Sequence, residues 1–280
     1  MSSEDTKLLP FRRSFPAEME DEIFQWTVLQ YPYYATDAQL PLICKRSQRT
    51  IESILYKNIL LSSSNEYFDG CVLTAKFQVP LEHKPASFFN EHVRNVFIMP
   101  SVPGEFLARL LAVCTGLEMF SCQLRVDGAP LLQAALPKLP EMKMLTVDFK
   151  TLHSLFGEVF QTKTVIPELL SVEYLNIMFR AEDEPLVPLG IYFPNLKHLR
   201  VDINRRYGIA EDLTAILDSV PTVQSIRMIV PNEMDWDNPP TEVWRAKDSR
   251  VILEDQSEWE HDPLAWRNRV TEGVFWVKDE

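Results

Sequence analysis

The stretch MKMLTVDF, residues 142–149, places apolar side chains at Met142, Leu145, Val147 and Phe149. Its last three apolar positions alternate with intervening residues, which is the period of a strand with one face buried. The same order recurs along the chain. It stands as LEMFSCQL (Leu117, Phe120, Cys122, Leu124), VEYLNIMF (Val172, Leu175, Ile177, Phe179), LKHLRVDI (Leu196, Leu199, Val201, Ile203) and VQSIRMIV (Val223, Ile226, Met228, Val230). A shorter copy, VRNVFIMP, gives Val93, Val96 and Ile98. The copies begin at 93, 117, 142, 172, 196 and 223, so the spacings are 24, 25, 30, 24 and 27 residues. Helix-like segments lie between them: GEFLARLLAVCTG, APLLQAALPKLP and IAEDLTAILDSVP. Several close on proline just before the next strand, which reads as a helix stop.

A period of 20–29 residues built from one strand and one helical stretch is that of leucine-rich repeats. Such a unit is too small to bury its own apolar face, so neighbours stack and their strands pair in parallel. The expected fold class is α/β: a small N-terminal helical bundle followed by an irregular leucine-rich-repeat-like solenoid with parallel strands. An ordinary α/β domain with alternating strands and helices shares much of the pattern; the regular spacing favours the solenoid. The usual repeat carries Asn or Cys nine residues into the unit. Here those positions are Arg125, Lys150, Arg180, Asn204 and Pro231, so only one complies and the convex side is expected to be irregular.

The expected organisation is a flexible N-terminus over 1–13, the helical segment over 14–62, a connecting segment over 63–92, the repeats over 93–253, and a C-terminal cap or acidic tail over 254–280. Residues 231–280 hold 6 basic and 13 acidic side chains, and five of the six tryptophans, Trp236, Trp244, Trp259, Trp266 and Trp276. A cap over the last repeat is favoured there, because an open solenoid end must be sealed. Binding through tryptophan anchors is the alternative.

The N-terminal segment reads FPAEMEDEIF at 15–24 and LPLICKRSQRTIESILY at 40–56. Pro16 with a carboxylate-rich first turn makes a helix start. Met19, Ile23 and Phe24 then share one face, as do Ile43, Ser47, Ile51, Ile54 and Leu55 in the second piece. These residues resemble the F-box, whose pattern is Leu-Pro-x-Glu, a helix ending Glu-Ile-Phe, then Leu-x-x-Val-Cys-Lys-x-Trp. Pro16, Glu18, Glu22, Ile23, Phe24, Leu40, Ile43, Cys44 and Lys45 stand in matching places. Phe15 replaces the usual leucine and Ser47 the tryptophan. Together with RTIESILYKNILL, HVRNVFI, SRVIL, Trp259-Glu260 and Trp266-Arg267, the chain is similar to F-box-like proteins of mushroom-forming fungi.

The resemblance implies binding to the adaptor subunit of a cullin-type ubiquitin ligase through Phe15, Pro16, Glu18, Ile23, Phe24, Leu40, Ile43, Cys44 and Lys45. It implies also that the repeats hold an unidentified protein substrate. The alternative is a non-catalytic scaffold or receptor in which a degenerate F-box is only a structural cap. In a strand whose pattern residues point inward, the intervening ones point to the other face. That face is expected to expose Phe97, Met99, Met119, Met144, Tyr174 and Met178, with His198, Arg200, Asp202 and Arg227 following, as a partner-binding surface. Coverage by the tail or by 63–92 is the competing reading of the same residues.

Nothing in the chain has the form of a known catalytic centre. His83, His92, His153, His198 and His261 are too scattered for convergent ligands, and no G-x-S-x-G elbow or phosphate loop occurs. The chain is therefore expected not to be an enzyme and to carry neither cofactor nor metal. A net charge of −12 without a basic stripe excludes nucleic acid and an anionic membrane surface as expected partners. MSSEDTKLLPFRRS has no apolar run after its basic residues, and Cys44, Cys71, Cys114 and Cys122 show no paired spacing. Both features predict a reducing compartment, cytoplasmic or nuclear.

Overall fold

The computed structural model of the chain describes Glu18, Met19, Glu22, Ile23, Trp26 and residues 45–62, 72–99, 102–122, 134–135, 139–148, 151–152, 169–180, 189–204, 218, 220–230 and 248–255. The chain forms two compact units, Met1–Leu55 and Tyr56–Glu280. Among the described residues, α1 spans Lys45–Lys57 and runs directly into β1, Asn58–Ser62. There follow β2 (Val72–Leu73), α2 (Thr74–His83), α3 (Ala86–His92), β3 (Asn95–Ile98), α4 (Gly104–Val113), β4 (Met119–Cys122), β5 (Met144–Asp148) and β6 (Tyr174–Arg180). The remainder is α5 (Leu189–Tyr192), β7 (His198–Asn204), β8 (Ser225–Val230) and β9 (Val251–Asp255).

The nine strands among the described residues join one sheet in the order β2-β1-β3-β4-β5-β6-β7-β8-β9, and each of these pairings is parallel. The fold is thus α/β and repeat-like. From β3 onward each strand lies beside the next in sequence, the arrangement the recurring pattern demands. The sheet also reaches further than the pattern did, through β1 and β2 on one side and β9 on the other.

Register places the pattern residues in rows across the sheet. One row runs Ile59, Val96, Phe120, Leu145, Leu175, Leu199, Ile226 and Val251. The next runs Leu61, Ile98, Cys122, Val147, Ile177, Val201 and Met228. All of these are buried in one continuous core. Strands in a sheet lie about 4.8 Å apart, so each side chain in a row touches its neighbours on both sides. The same core takes Phe106, Leu107, Leu110 and Leu111 of α4. That helix has Glu105 in its first turn, where a carboxylate complements the helix dipole.

The approach to β5, β6, β7 and β8 repeats one turn. The N–H of Met142 donates to Leu139 O, Val172 to Leu169 O, Leu196 to Phe193 O and Val223 to Val220 O. Both ends of each turn are buried. Pro140, Pro194 and Pro221 occupy the second position, where a fixed φ suits the turn. These prolines, expected to stop helices, therefore serve as turn corners. Side chains lace one turn to the next: Asn195 Nδ2 donates to Leu170 O at 2.7 Å, and Arg250 Nη1 to Val220 O at 3.2 Å. Arg94 Nη1 donates to Gly116 O at 2.7 Å. A Cβ on Gly116 would lie 2.3 Å from that guanidinium and 2.4 Å from Asn90 O, so only glycine fits there.

A single carbonyl before each strand accepts two N–H groups of the next repeat. Arg94 O takes Glu118 and Met119, Glu118 O takes Lys143 and Met144, Lys143 O takes Glu173 and Tyr174, and Glu173 O takes Lys197 and His198. The side chains at these stations alternate in sign: Arg94, Glu118, Lys143, Glu173, Lys197. Arg94 Nε lies 3.7 Å from Glu118 Oε1, and Lys197 Nζ 2.9 Å from Glu173 Oε1. Opposite charges on neighbouring strands contribute about 0.2–1 kcal/mol a pair, and a one-residue slip would set each charge beside an uncharged residue and forfeit that gain.

Two predictions follow from this packing. Leu175→Ala, in the fully buried central row, is expected to lower stability by about 2–5 kcal/mol in urea unfolding. Glu118→Lys sets a third cation in line between Arg94 and Lys143; the expected loss is about 1 kcal/mol at low salt, shrinking in 1 M NaCl. A loss that does not respond to salt would refute the electrostatic reading of this row.

Candidate functional site

Residues between the pattern positions form rows of their own on the opposite face of the sheet. Asn95, Met119, Met144, Tyr174, His198 and Ser225 stand side by side, as do Leu60, Phe97, Ser121, Thr146, Asn176, Arg200 and Arg227. The first half of this face is apolar and the second half polar. Leu60, Phe97, Met119 and Met144 form a second apolar cluster, against which Met99 and Tyr174 pack.

This face is not the open surface that the sequence led us to expect. Phe97, Met119 and Met144 are only 8%, 4% and 8% exposed. Arg200 and Arg227 are buried as well, while Met99, Tyr174, Met178 and His198 are half-buried. Large apolar side chains left in water are unfavourable in proportion to their area, and here they form one buried cluster with Leu60. Leu60 belongs to β1, a strand absent from the repeat pattern. Its register partner is Phe97, and the Phe97, Met119 and Met144 run gave the signal for a sheet buried on both faces.

The polar half is held by cross-strand contacts. Tyr174 and His198 stack with centroids 4.7 Å apart and planes at 11°. His198 Nδ1 is 2.8 Å from Ser225 Oγ. At the far end of β5, Asp148 accepts a hydrogen bond from the Thr151 N–H at 2.9 Å and another from the Thr151 hydroxyl. At the first rung Asn95 Nδ2 donates to Asn58 Oδ1 at 2.7 Å. The Tyr174–His198–Ser225 and Asn95–Asn58 contacts join neighbouring strands at their entry ends, and the Asp148–Thr151 bonds are local to the end of β5. Asp202 lies in register between Met178 and Ile229.

Of the residues expected to meet the adaptor, Glu18 and Ile23 are helical and exposed, and Lys45 opens α1. Phe15, Pro16, Phe24, Leu40, Ile43 and Cys44 lie outside the described residues, as do the five C-terminal tryptophans. Met19, Ile23 and Trp26 are all helical and are 46%, 48% and 61% exposed. Spacings of four and three residues are those at which helical residues share a face. Trp26 was not picked out by the F-box pattern, although its position seven residues after Met19 carried the signal.

Cys114, at the end of α4, and Cys122, in β4, are both buried. Burial pushes the Cys114 thiol up to about 12, so little thiolate exists at neutral pH. Asp248 is held below the usual carboxylate range, chiefly by hydrogen bonds from Arg250. The pair fixes the turn into β9. Among the described residues no helix is long and apolar enough to cross a membrane.

The triple change Met119→Ser, Met144→Ser, Tyr174→Ser is expected to behave as a core lesion, lowering the unfolding midpoint by well over 10 °C. An unchanged midpoint would mean that these side chains face water. Peptide mapping after alkylation at pH 8 is expected to find Cys114 unmodified until the sheet unfolds.

A comparison with protein-family models and with curated proteins finds no match, so the reading of this chain rests on its own residues.

Proposed function

We propose that the chain is a non-catalytic protein-interaction module: a substrate adaptor of a cullin-type ubiquitin ligase, acting in the cytoplasm or nucleus. In this reading the N-terminal segment is an F-box that meets the adaptor subunit. The sheet-forming part is a leucine-rich-repeat-like solenoid that holds the protein substrate. The observation that carries the reading is the helical row Met19, Ile23, Trp26, three large apolar side chains about half exposed. They belong to a unit distinct from the sheet. Large apolar residues grouped on one exposed helix face are a signature of a docking surface.

A second reading has one observation in its favour. The helix α1 passes into β1 without an intervening residue. Tyr56 in its last turn packs on Phe88 at 5.0 Å and near Phe77 and Phe89. Lys84 Nζ caps that group, 4.1 Å from the Phe88 ring centroid. A helix so joined to the sheet serves as a structural cap, and the chain would then be a scaffold or receptor.

The two readings part on one experiment. Met19→Glu, Ile23→Glu and Trp26→Glu together are expected to abolish capture of purified adaptor subunit in a pull-down at micromolar concentration. The unfolding midpoint of the sheet should stay within about 2 °C of wild type. If wild-type protein captures no adaptor, the adaptor reading fails. If the triple variant captures it as well as wild type, the assignment of this helix face fails.

A further inference from the structure

Three neighbouring strands carry a row of buried side-chain oxygens without a hydrogen-bond partner. Ser121 on β4, Thr146 on β5 and Asn176 on β6 are direct register partners. They are 0%, 5% and 9% exposed. Ser121 Oγ, Thr146 Oγ1 and Asn176 Oδ1 each lack a partner. One such atom is an ordinary exception; three in consecutive register positions are a pattern, because buried polar groups in folded proteins are overwhelmingly satisfied. The row lies on the face away from the main core, beside the apolar cluster of Phe97, Met119 and Met144.

We propose that this row is a hydration site, in which ordered water molecules bridge Ser121 to Thr146 and Thr146 to Asn176. The geometry of a parallel sheet supplies the spacing. Equivalent positions on adjacent strands are about 4.8 Å apart. That is too far for a direct bond between side-chain oxygens. Two oxygen–oxygen legs of about 2.8 Å meeting at a roughly tetrahedral angle span about 4.6 Å. One water oxygen therefore fits between each pair. The chemistry matches too: serine and threonine hydroxyls donate and accept, the asparagine carbonyl accepts, and water does both. Arg200 and Arg227 continue the same row as buried polar side chains, so the file of water ends against charge rather than against hydrocarbon.

The site goes beyond the proposed adaptor function and does not depend on it. Its consequence is that this face has two kinds of contact. The Leu60, Phe97, Met119 and Met144 cluster is dry and packs as a core. The Ser121, Thr146 and Asn176 row is wet, and a water-mediated contact exchanges for another polar group with little penalty. That row is thus the place where this face opens most readily.

The test uses the full chain and two conservative changes. Thr146→Val keeps the side-chain shape and removes the hydroxyl that both bridges share; Ser121→Ala removes one bridge. Thermal unfolding and water oxygen-17 magnetic relaxation dispersion are measured on all three proteins. The proposal expects Thr146→Val to lower the midpoint by about 2–4 °C. It expects the signal of long-lived internal water to fall in both variants, more in Thr146→Val than in Ser121→Ala. An unpartnered oxygen without water gives the opposite sign, because removing it relieves a desolvation penalty and the midpoint rises. A midpoint that rises or stays level, or a water signal unchanged in both variants, overturns the proposal.

Discussion

The rest of the structure depends on parallel register between β3 and β8. Each strand is short, four to seven residues, and none could hold its conformation alone. What fixes it is the strand before it, through one carbonyl that accepts two N–H groups at the entry to each repeat. The apolar rows then follow without further specification. A slip by one residue would carry Leu145, Leu175 and Leu199 from the core to the opposite face. The alternation of charge from Arg94 to Lys197 penalises displacement of a repeat, so register is set by hydrogen bonds, burial and electrostatics together.

The turns show how this regularity survives unequal spacing between strands. Intervals of 24 to 30 residues separate the repeats, yet the turns that lead into β5, β6, β7 and β8 keep one geometry. Leu139-Pro140-Glu141-Met142, Phe193-Pro194-Asn195-Leu196 and Val220-Pro221-Thr222-Val223 are the same device. Length variation is taken up before the turn, where no register is at stake. This is the physical sense in which the chain is repeat-like: the strand and its entry are invariant, and the return path is not.

Much of this was legible in the sequence, and the failures have identifiable causes. Strands β3 to β8 and helix α4 follow from alternation and from an amphipathic spacing, the two strongest local signals. The strand Asn58–Ser62 was not seen because all five of its residues are buried. A strand buried on both faces shows no alternation and reads as the end of the helix that precedes it. The same cause hid the covering of Phe97, Met119 and Met144. Their apolar character suits both an exposed binding surface and a covered sheet, and a parallel sheet with two buried faces requires such residues. The strand Val72–Leu73 has two residues and no pattern to read. In the first unit, Met19 and Ile23 were legible by spacing, and Trp26 only by extending the same face one further turn.

Burial on both faces changes where interaction is to be sought. In a sheet with one wet face, the side chains between the pattern positions are the natural contact surface. Here those side chains include a packed apolar cluster at one end and buried arginines at the other, so partner binding at this face requires something to move. Among the described residues, the large apolar side chains that are exposed include Met19, Ile23 and Trp26 in the N-terminal unit. Burying such side chains contributes on the order of 1.5–3 kcal/mol each, and an isolated helix face of this kind is stable in water only by leaving that energy unspent. The repeats supply rigidity, because their rows resist sliding, and Met19, Ile23 and Trp26 remain exposed in a unit that does not take part in the sheet.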